Sequence, residues 1–291
     1  MRRLIMLLLG LVMLIGVTAG PAGAITGGRP DGTAHPYVGF VSEPEGGFCS
    51  GTLLSPTVFL TAGHCTYYFS QVTDVVYLSF DPQVTSTSTF YTSHKWYTHP
   101  DYVDADWPYT QDFGIVILDQ PVSLDQYGVL PEVGLLDELI PATGQTRQRF
   151  TDVGYGQTGV TVGGGPPQAN FPLQRRQAVQ RYAPGGEGGI GHGLTDLFLF
   201  LQNVPSEPHG SACGGDSGSP VFLGNTNQLV AVHTGGYRLG PGGVICGRLT
   251  SLNHRLDTEV ALEWINSFLE PVLPAARPAS RGSDPGTQGR E

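Results

Sequence analysis

The chain has 291 residues with 15 Lys+Arg against 25 Asp+Glu, a formal charge of −10, and only 14% charged residues. No basic run exceeds a pair, so the phosphate-neutralising surface of a nucleic-acid binder is absent. With 42 Gly and 23 Pro, the composition favours many short strands joined by turns over long amphipathic helices.

Residues 1–24 read as a signal peptide. Arg2 and Arg3 precede an apolar run from Leu4 to Val17, and Ala22-Gly23-Ala24 supplies the small residues that a signal peptidase prefers. The run is too short to span a bilayer, which takes about 20 residues, so no membrane association is expected after cleavage. The expected location is extracellular, where cysteines are oxidised. Four cysteines permit three pairings. Sequential pairing, Cys49 with Cys65 and Cys213 with Cys246, would staple two separate regions. A zinc site is disfavoured because no Cys-x-x-Cys or close Cys/His set occurs, and no run of carboxylates has calcium-loop spacing. No metal and no cofactor is expected.

From Ile25 the pattern is of strand-length apolar runs broken by turn residues: "YVGFV" (37–41), "GTLLS" (51–55), "TVFLTAG" (57–63), "DVVYLSF" (74–80) and "FGIVIL" (113–118). A Pro- and Gly-spaced connection follows at 119–144. A second series then runs through "RQRFTDVGYG" (147–156), "LQRRQAVQRY" (173–182), "LFLFLQ" (197–202), "SPVFL" (219–223), "QLVAVH" (228–233) and "GRLTSL" (247–252). This predicts an all-β chain of two units, 25–135 and 136–270. "LDTEVALEWINSFLE" (256–270) has helical spacing and is expected to pack back on the second unit. Residues 271–291 lack periodicity and read as a disordered tail, and the Gly-rich stretches 159–170 and 183–193 as surface loops.

A serine hydroxyl is a weak nucleophile unless a base takes its proton and a third group orients that base. "LTAGHC" (60–65) ends a strand at His64, "DFGIVIL" (112–118) opens a buried-looking strand at Asp112, and "CGGDSGSP" (213–220) places Ser217 among glycines. Each alone has a structural explanation, as a turn, cap or loop residue. Together, in the order His, Asp, Ser, they resemble the motifs of trypsin- and chymotrypsin-like serine proteases. "ITGGRPDGTAHPYVGFV" (25–41), "HPDY" (99–102) and "VGYG" (153–156) are similar to further segments of that family, so the likeness runs over roughly 25–270. The chain is identified as a secreted, bacterial-type member.

The resemblance implies two perpendicular six-stranded antiparallel β-barrels, the first carrying His64 and Asp112 and the second Ser217, with a C-terminal helix. It implies His64 as general base and acid, Asp112 as its orienter and Ser217 as the group that forms an acyl-enzyme. The amides of Gly215 and Ser217 would form the oxyanion hole, and Cys213 paired with Cys246 would pin the loop. Cleavage after Ala24 would free the amine of Ile25 to pair with Asp216, so no separate activating cleavage is expected.

The substrate pocket would comprise Ser211, Ala212, His233, Thr234, Gly235 and Gly236. Ser211 stands where members that cleave after Lys or Arg carry an aspartate. A basic P1 side chain would find no anion to offset its desolvation, so apolar or aromatic P1 is expected. The alternative is an acidic P1, because "VAVHTGGY" (230–237) and "GDSGSPVF" look like bacterial glutamyl endopeptidases with His233 as the pocket histidine. A non-catalytic protease homologue acting as a binding protein is the rival from another class, and no triad member is missing. Partners would be protein or peptide substrates and proteinaceous inhibitors, with the enzyme a monomer. An α/β-hydrolase is disfavoured because position 219 is Ser rather than Gly and β-runs follow it.

Overall fold

The computed structural model describes residues 25–105, 110–140, 146–158, 160–161, 168–169, 171–184, 195–203, 210–237 and 250–269. The predicted signal peptide, the tail, most of the two Gly-rich loops and Cys246 lie outside the described residues. In chain order the strands and helices are β1 (Arg29–Pro30), β2 (Val38–Ser42), β3 (Phe48–Leu53), β4 (Val58–Thr61), α1 (Gly63–Val72), β5 (Val76–Ser79), β6 (Tyr91–Ser93), β7 (Lys95–Thr98) and β8 (Gly114–Ile117). They continue as α2 (Leu135–Leu139), β9 (Arg149–Gly154), β10 (Val160–Thr161), β11 (Gln168–Ala169), β12 (Arg176–Tyr182), β13 (Phe198–Asn203), β14 (Pro220–Leu223), β15 (Leu229–Tyr237), β16 (Thr250–Arg255) and α3 (Glu259–Asn266).

Two antiparallel barrel-like sheets carry the fold. The first runs β6-β5-β2-β3-β4-β8-β7 and the second β1-β12-β13-β16-β15-β14-β9, the latter closed by pairing of β12 with β9. Each sheet counts seven strands where the sequence reading expected six, and both differences have local causes. β6 and β7 are one strand interrupted at His94, whose first half pairs with β5 and whose second half pairs with β8. In the second sheet the extra strand is β1, two residues of the N-terminal segment laid against β12.

The strands are short and rich in β-branched and aromatic residues, which suit a pleated, half-buried surface. β4 (VFLT) lies between β3 and β8 and is buried at every position, which accounts for its unbroken apolar character. The main core runs through both barrels, joining Leu53, Phe59 and Ile115 of the first to Val153, Phe222 and Val232 of the second. α3 is capped by Thr258, whose side chain accepts the Ala261 amide at 3.3 Å. Its ring contacts lie on the first barrel, not on the second unit as expected: Trp264 lies 5.0 Å from His99 and Phe268 5.0 Å from Tyr97, ring centre to ring centre.

A buried polar cluster fastens the N-terminal segment across that seam. Asp31 Oδ1 meets His35 Nδ1 at 2.6 Å and accepts Gln177 Nε2 at 2.9 Å, while Asp31 Oδ2 accepts Arg175 Nε at 2.9 Å. The same guanidinium donates Nη1 to the carbonyls of Val38 (3.1 Å) and Phe80 (2.8 Å) and to Tyr155 Oη (3.1 Å), and Nη2 to the Gly32 carbonyl (2.7 Å). A buried cation with every donor group engaged is the condition under which such a pair is tolerated.

Candidate active site

His64 lies just past the end of β4, in the first turn of α1. The chain turns sharply there because Gly63 leaves room: a Cβ at this position would stand 3.0 Å from the backbone of Phe113 and 3.2 Å from the Asp112 carbonyl carbon. Gly114 does the same from the facing strand, where a Cβ would press on the Ala62 carbonyl. The two glycines let the end of β4 and the start of β8 close on each other. Cys65, beside His64, is bonded to Cys49 of β3, which anchors the helix start to the sheet.

Asp112 is fully buried and follows Gln111, whose φ of 46° is left-handed backbone in a non-glycine residue. Its carboxylate engages His64 twice. Oδ1 accepts the His64 backbone amide at 2.7 Å and lies 3.2 Å from the ring Nδ1, while Oδ2 lies 2.9 Å from Nδ1. Burial opposes charge on the imidazole, but the adjacent carboxylate outweighs it and holds the His64 pKa above its ordinary 6.5. On Asp112 burial acts upward, and the pairing with His64 overcomes it to keep the carboxyl below its usual value. The ring nitrogen facing Asp112 is thereby the protonated one, leaving Nε2 as acceptor.

Ser217 sits in a tight loop between Cys213 and Ser219. The Asp216 amide donates to the Cys213 carbonyl at 2.9 Å and the Ser219 amide to the Asp216 carbonyl at 2.8 Å. Gly215 and Gly218 have φ of 86° and 81°, so glycine is required on both sides of the Asp216-Ser217 pair. A side chain on Gly218 would collide with Thr61 Oγ1, the Ser50 carbonyl and the Ala62 amide. That contact brings the residue after Ser217 against the residues that lead into His64.

Ser50 on β3 ties the loop down from the first barrel. Its amide donates to the Ser217 carbonyl at 2.8 Å, its hydroxyl to the Gly215 carbonyl at 3.0 Å, and its hydroxyl oxygen accepts the Tyr155 amide at 3.0 Å. Nothing in the sequence marked Ser50, because its role exists only once the two sheets meet. The amides of Gly215 and Ser217 donate to no described acceptor.

Asp216 is buried with its carboxylate over Gly154 and Gly156, accepting the Gly156 amide at 2.8 Å and the Cys213 amide at 2.9 Å. Burial, and the nearby Asp152, push its pKa well above the usual carboxylate range. No cation faces it among the described residues. Ile25 is itself fully buried, and its neighbour Thr26 pairs with Ser211.

The residues expected to line the substrate pocket are withdrawn from solvent to different degrees. Ser211 and Ala212 are buried, His233 and Thr234 nearly so, and Gly235 and Gly236 are half-buried on β15. The Gly218 amide donates to the His233 carbonyl at 2.8 Å and the His233 amide to the Ser219 carbonyl at 2.9 Å, so the pocket wall and the nucleophile loop are stitched together. His233 Nδ1 lies 3.1 Å from Asn253 Oδ1. Asn253 spends its Nδ2 hydrogens on the Leu199 carbonyl (3.0 Å) and on Ser251 (carbonyl 3.3 Å, hydroxyl 3.2 Å). Its oxygen is therefore an acceptor and His233 Nδ1 carries the proton. Burial drops the His233 pKa to about 4, so the ring is neutral. Asn253 had no distinguishing signal in the sequence.

Cys213 is disulfide-bonded and the described chain has no free cysteine, while its expected partner Cys246 lies outside the described residues. Cys49, His64 and Cys65 come within metal-ligand reach of one another, but both sulfurs are committed to the disulfide.

Comparison with known proteins supplies the family. The family model described as Trypsin matches residues 25–253. A trypsin of Saccharopolyspora erythraea is 26% identical over 221 residues, covering 69% of this chain and 82% of that protein. Among solved structures, neuropsin, a serine protease expressed in the limbic system of mouse brain, superposes with a TM-score of 0.61 at 18% identity, over 84% of this chain and 99% of its own. That likeness carries the fold: two barrels of mostly strand with a C-terminal helix, the chymotrypsin-like architecture. The chain belongs to the trypsin family and is a serine endopeptidase.

Proposed function

We propose that the enzyme is secreted and cleaves peptide bonds through an acyl-enzyme on Ser217, with His64 and Asp112 completing the triad. The observation that carries this is the double engagement of His64 by buried Asp112, beside a loop whose Gly218 packs on Thr61 and Ala62. His64 Nε2 takes the proton of Ser217 Oγ as that oxygen adds to the scissile carbonyl, and the amides of Gly215 and Ser217 receive the oxyanion. His64 then returns the proton to the leaving amine. Water repeats the sequence on the ester and releases the acid product. The substrates are proteins or peptides and the enzyme acts as a monomer. Export fits the disulfide between Cys49 and Cys65 and the lack, among the described residues, of any helix long and apolar enough to cross a membrane.

The free amine of Ile25 would supply the cation that buried Asp216 lacks. Support comes from the burial of Ile25, the pairing of Thr26 with Ser211 and the family match beginning at residue 25. The pair would hold the oxyanion loop in its active shape.

Apolar or aromatic P1 side chains suit a pocket of Ser211, Ala212 and neutral His233 with no anion. A second reading, acidic P1, is favoured by the fixed ring of His233 in the pocket wall. It would require the ring to take up a proton with the substrate, because the ring alone titrates near 4. A peptide library varied at P1 decides. Cleavage after Phe, Tyr or Leu is expected to exceed cleavage after Lys or Arg by about tenfold or more, given the cost of burying an unpaired cation. The same library must stay intact with Ser217→Ala. Preferred cleavage after Glu would establish the second reading, and preferred cleavage after Lys or Arg would overturn both.

A further inference from the structure

Asp152 takes no part in the chemistry above, yet it stands directly beneath the nucleophile loop. It lies in β9, is 0% exposed, and its Oδ1 accepts the Ser219 hydroxyl at 2.7 Å. Its other oxygen, Oδ2, is buried with no hydrogen-bond partner. Ser219, two residues beyond Ser217, is held at three points: hydroxyl to Asp152, amide to the Asp216 carbonyl at 2.8 Å, and carbonyl to the His233 amide at 2.9 Å. Asp216 shares the same small space. A Cβ on Gly154 would run into Asp216 Oδ1 while standing 3.2 Å from the Ser219 Cβ, so the two acids flank Ser219.

Burying a carboxyl group costs free energy unless its polar atoms are used, and an apolar residue would fill a strand position here without that cost. Burial moves the Asp152 pKa up to about 7, against the pull of Ser219 and of its own strand's backbone, and Asp152 in turn opposes ionisation of Asp216. In either protonation state Asp152 offers Oδ1 as acceptor to the Ser219 hydroxyl, and its raised pKa eases the crowding of two anions around Ser219.

We infer that Asp152 is a positioning residue for the nucleophile, acting through Ser219 Oγ to fix the turn that carries Ser217. This rests on the triad reading. Asp152 touches neither substrate nor reacting atoms; it sets where Ser217 and its amide stand. The bond joins the strand that ends at the Gly154-Tyr155-Gly156 platform to the far side of the nucleophile turn. Loosening it should appear in turnover more than in substrate capture.

The test is a double-mutant cycle with Asp152→Val, Ser219→Ala and their combination, alongside Asp152→Asn, whose amide oxygen can accept the same bond. The wild type and Ser217→Ala are assayed first on a peptide substrate. Hydrolysis that survives Ser217→Ala defeats the triad reading itself, whereas Ser217-dependent hydrolysis indifferent to Asp152 defeats only this inference. The expected result is that Asp152→Val and Ser219→Ala each lower kcat about tenfold with little change in KM, and that the double variant is no worse than either. Asp152→Asn should stay within about threefold of wild type. Should Asp152→Val fail to fold, Asp152→Asn against Ser219→Ala still decides. Losses that multiply in the double variant, an unchanged kcat in Ser219→Ala, or an Asp152→Asn as poor as Ser219→Ala would each overturn the assignment.

Discussion

Asp112→Asn is expected to lower kcat by about four orders of magnitude while leaving the fold intact. The reason lies in which oxygen does what. Oδ1 receives the His64 backbone amide at 2.7 Å, so an asparagine at this position keeps its carbonyl oxygen there. Its NH₂ then takes the place of Oδ2, 2.9 Å from His64 Nδ1, and that ring nitrogen must become an acceptor. The ring proton moves to Nε2. A ring protonated at Nε2 cannot take the proton of Ser217, and chemistry stops at the first step.

The same contact fixes a pH signature. His64 must be neutral to act as base, and in the wild type its pKa is raised above 6.5 by Asp112, so kcat/KM should climb with pH through a point above that value. Losing the carboxylate leaves burial, the largest influence, opposed only by the lesser pull of Asp104, so the imidazole pKa falls. The residual activity of Asp112→Asn should therefore have its acid limb displaced to lower pH. Steady-state kinetics between about pH 5 and 9 read both effects. A loss of kcat smaller than about a hundredfold, or an unmoved acid limb, would count against Asp112 as orienter.

Arg175→Met carries the largest expected effect on stability, about 3–5 kcal/mol, because it strands a buried carboxylate. Asp31 would keep His35 and Gln177 but lose its guanidinium partner, and four further acceptors, three carbonyls and the Tyr155 hydroxyl, would lose their donor. Burial raises the Asp31 pKa, and the contacts with His35 and Arg175 more than reverse that, holding it below 3.8. A group with a depressed folded-state pKa stabilises above its unfolded value and ceases to do so as pH falls through the folded value. The gap between wild type and variant should thus be full at neutral pH and narrow under acid conditions, where Asp31 is protonated in both. Denaturant unfolding at pH 7 and then at steps below pH 3.8 measures it, with Asp31→Leu/Arg175→Met as the variant that should recover part of the loss. A loss below about 1 kcal/mol at neutral pH would show the cluster to be ornamental to stability.

Much of the candidate site could be read before any coordinates because its parts are local. "LTAGHC" and "DFGIVIL" each set one side chain at a strand boundary where glycines permit close approach, and "CGGDSGSP" spells out a turn that needs glycine at 215 and 218. What stayed hidden is long-range. Ser50 meets Gly215 across 165 residues, Asp31 meets Arg175 across 144, and Asp152 meets Ser219 across 67. No periodicity or turn signal encodes a contact between a strand of one unit and a loop of another. The helix at 259–266 shows the same limit: its apolar stripe was legible, but which surface it would cover depended on how the barrels met. The additional strand in each sheet has a simpler origin. A bend at His94 splits one strand into two, and a two-residue strand such as β1 leaves no pattern to find.

The most direct measurement is mass spectrometry of the folded enzyme after treatment with a fluorophosphonate, which reacts only with a serine whose hydroxyl is activated. A single adduct on the peptide containing Ser217, absent when His64 is replaced by alanine, is the result expected. A folded protein left unmodified, or one modified at another serine, would contradict a Ser217 nucleophile and favour a protease-like fold used for binding.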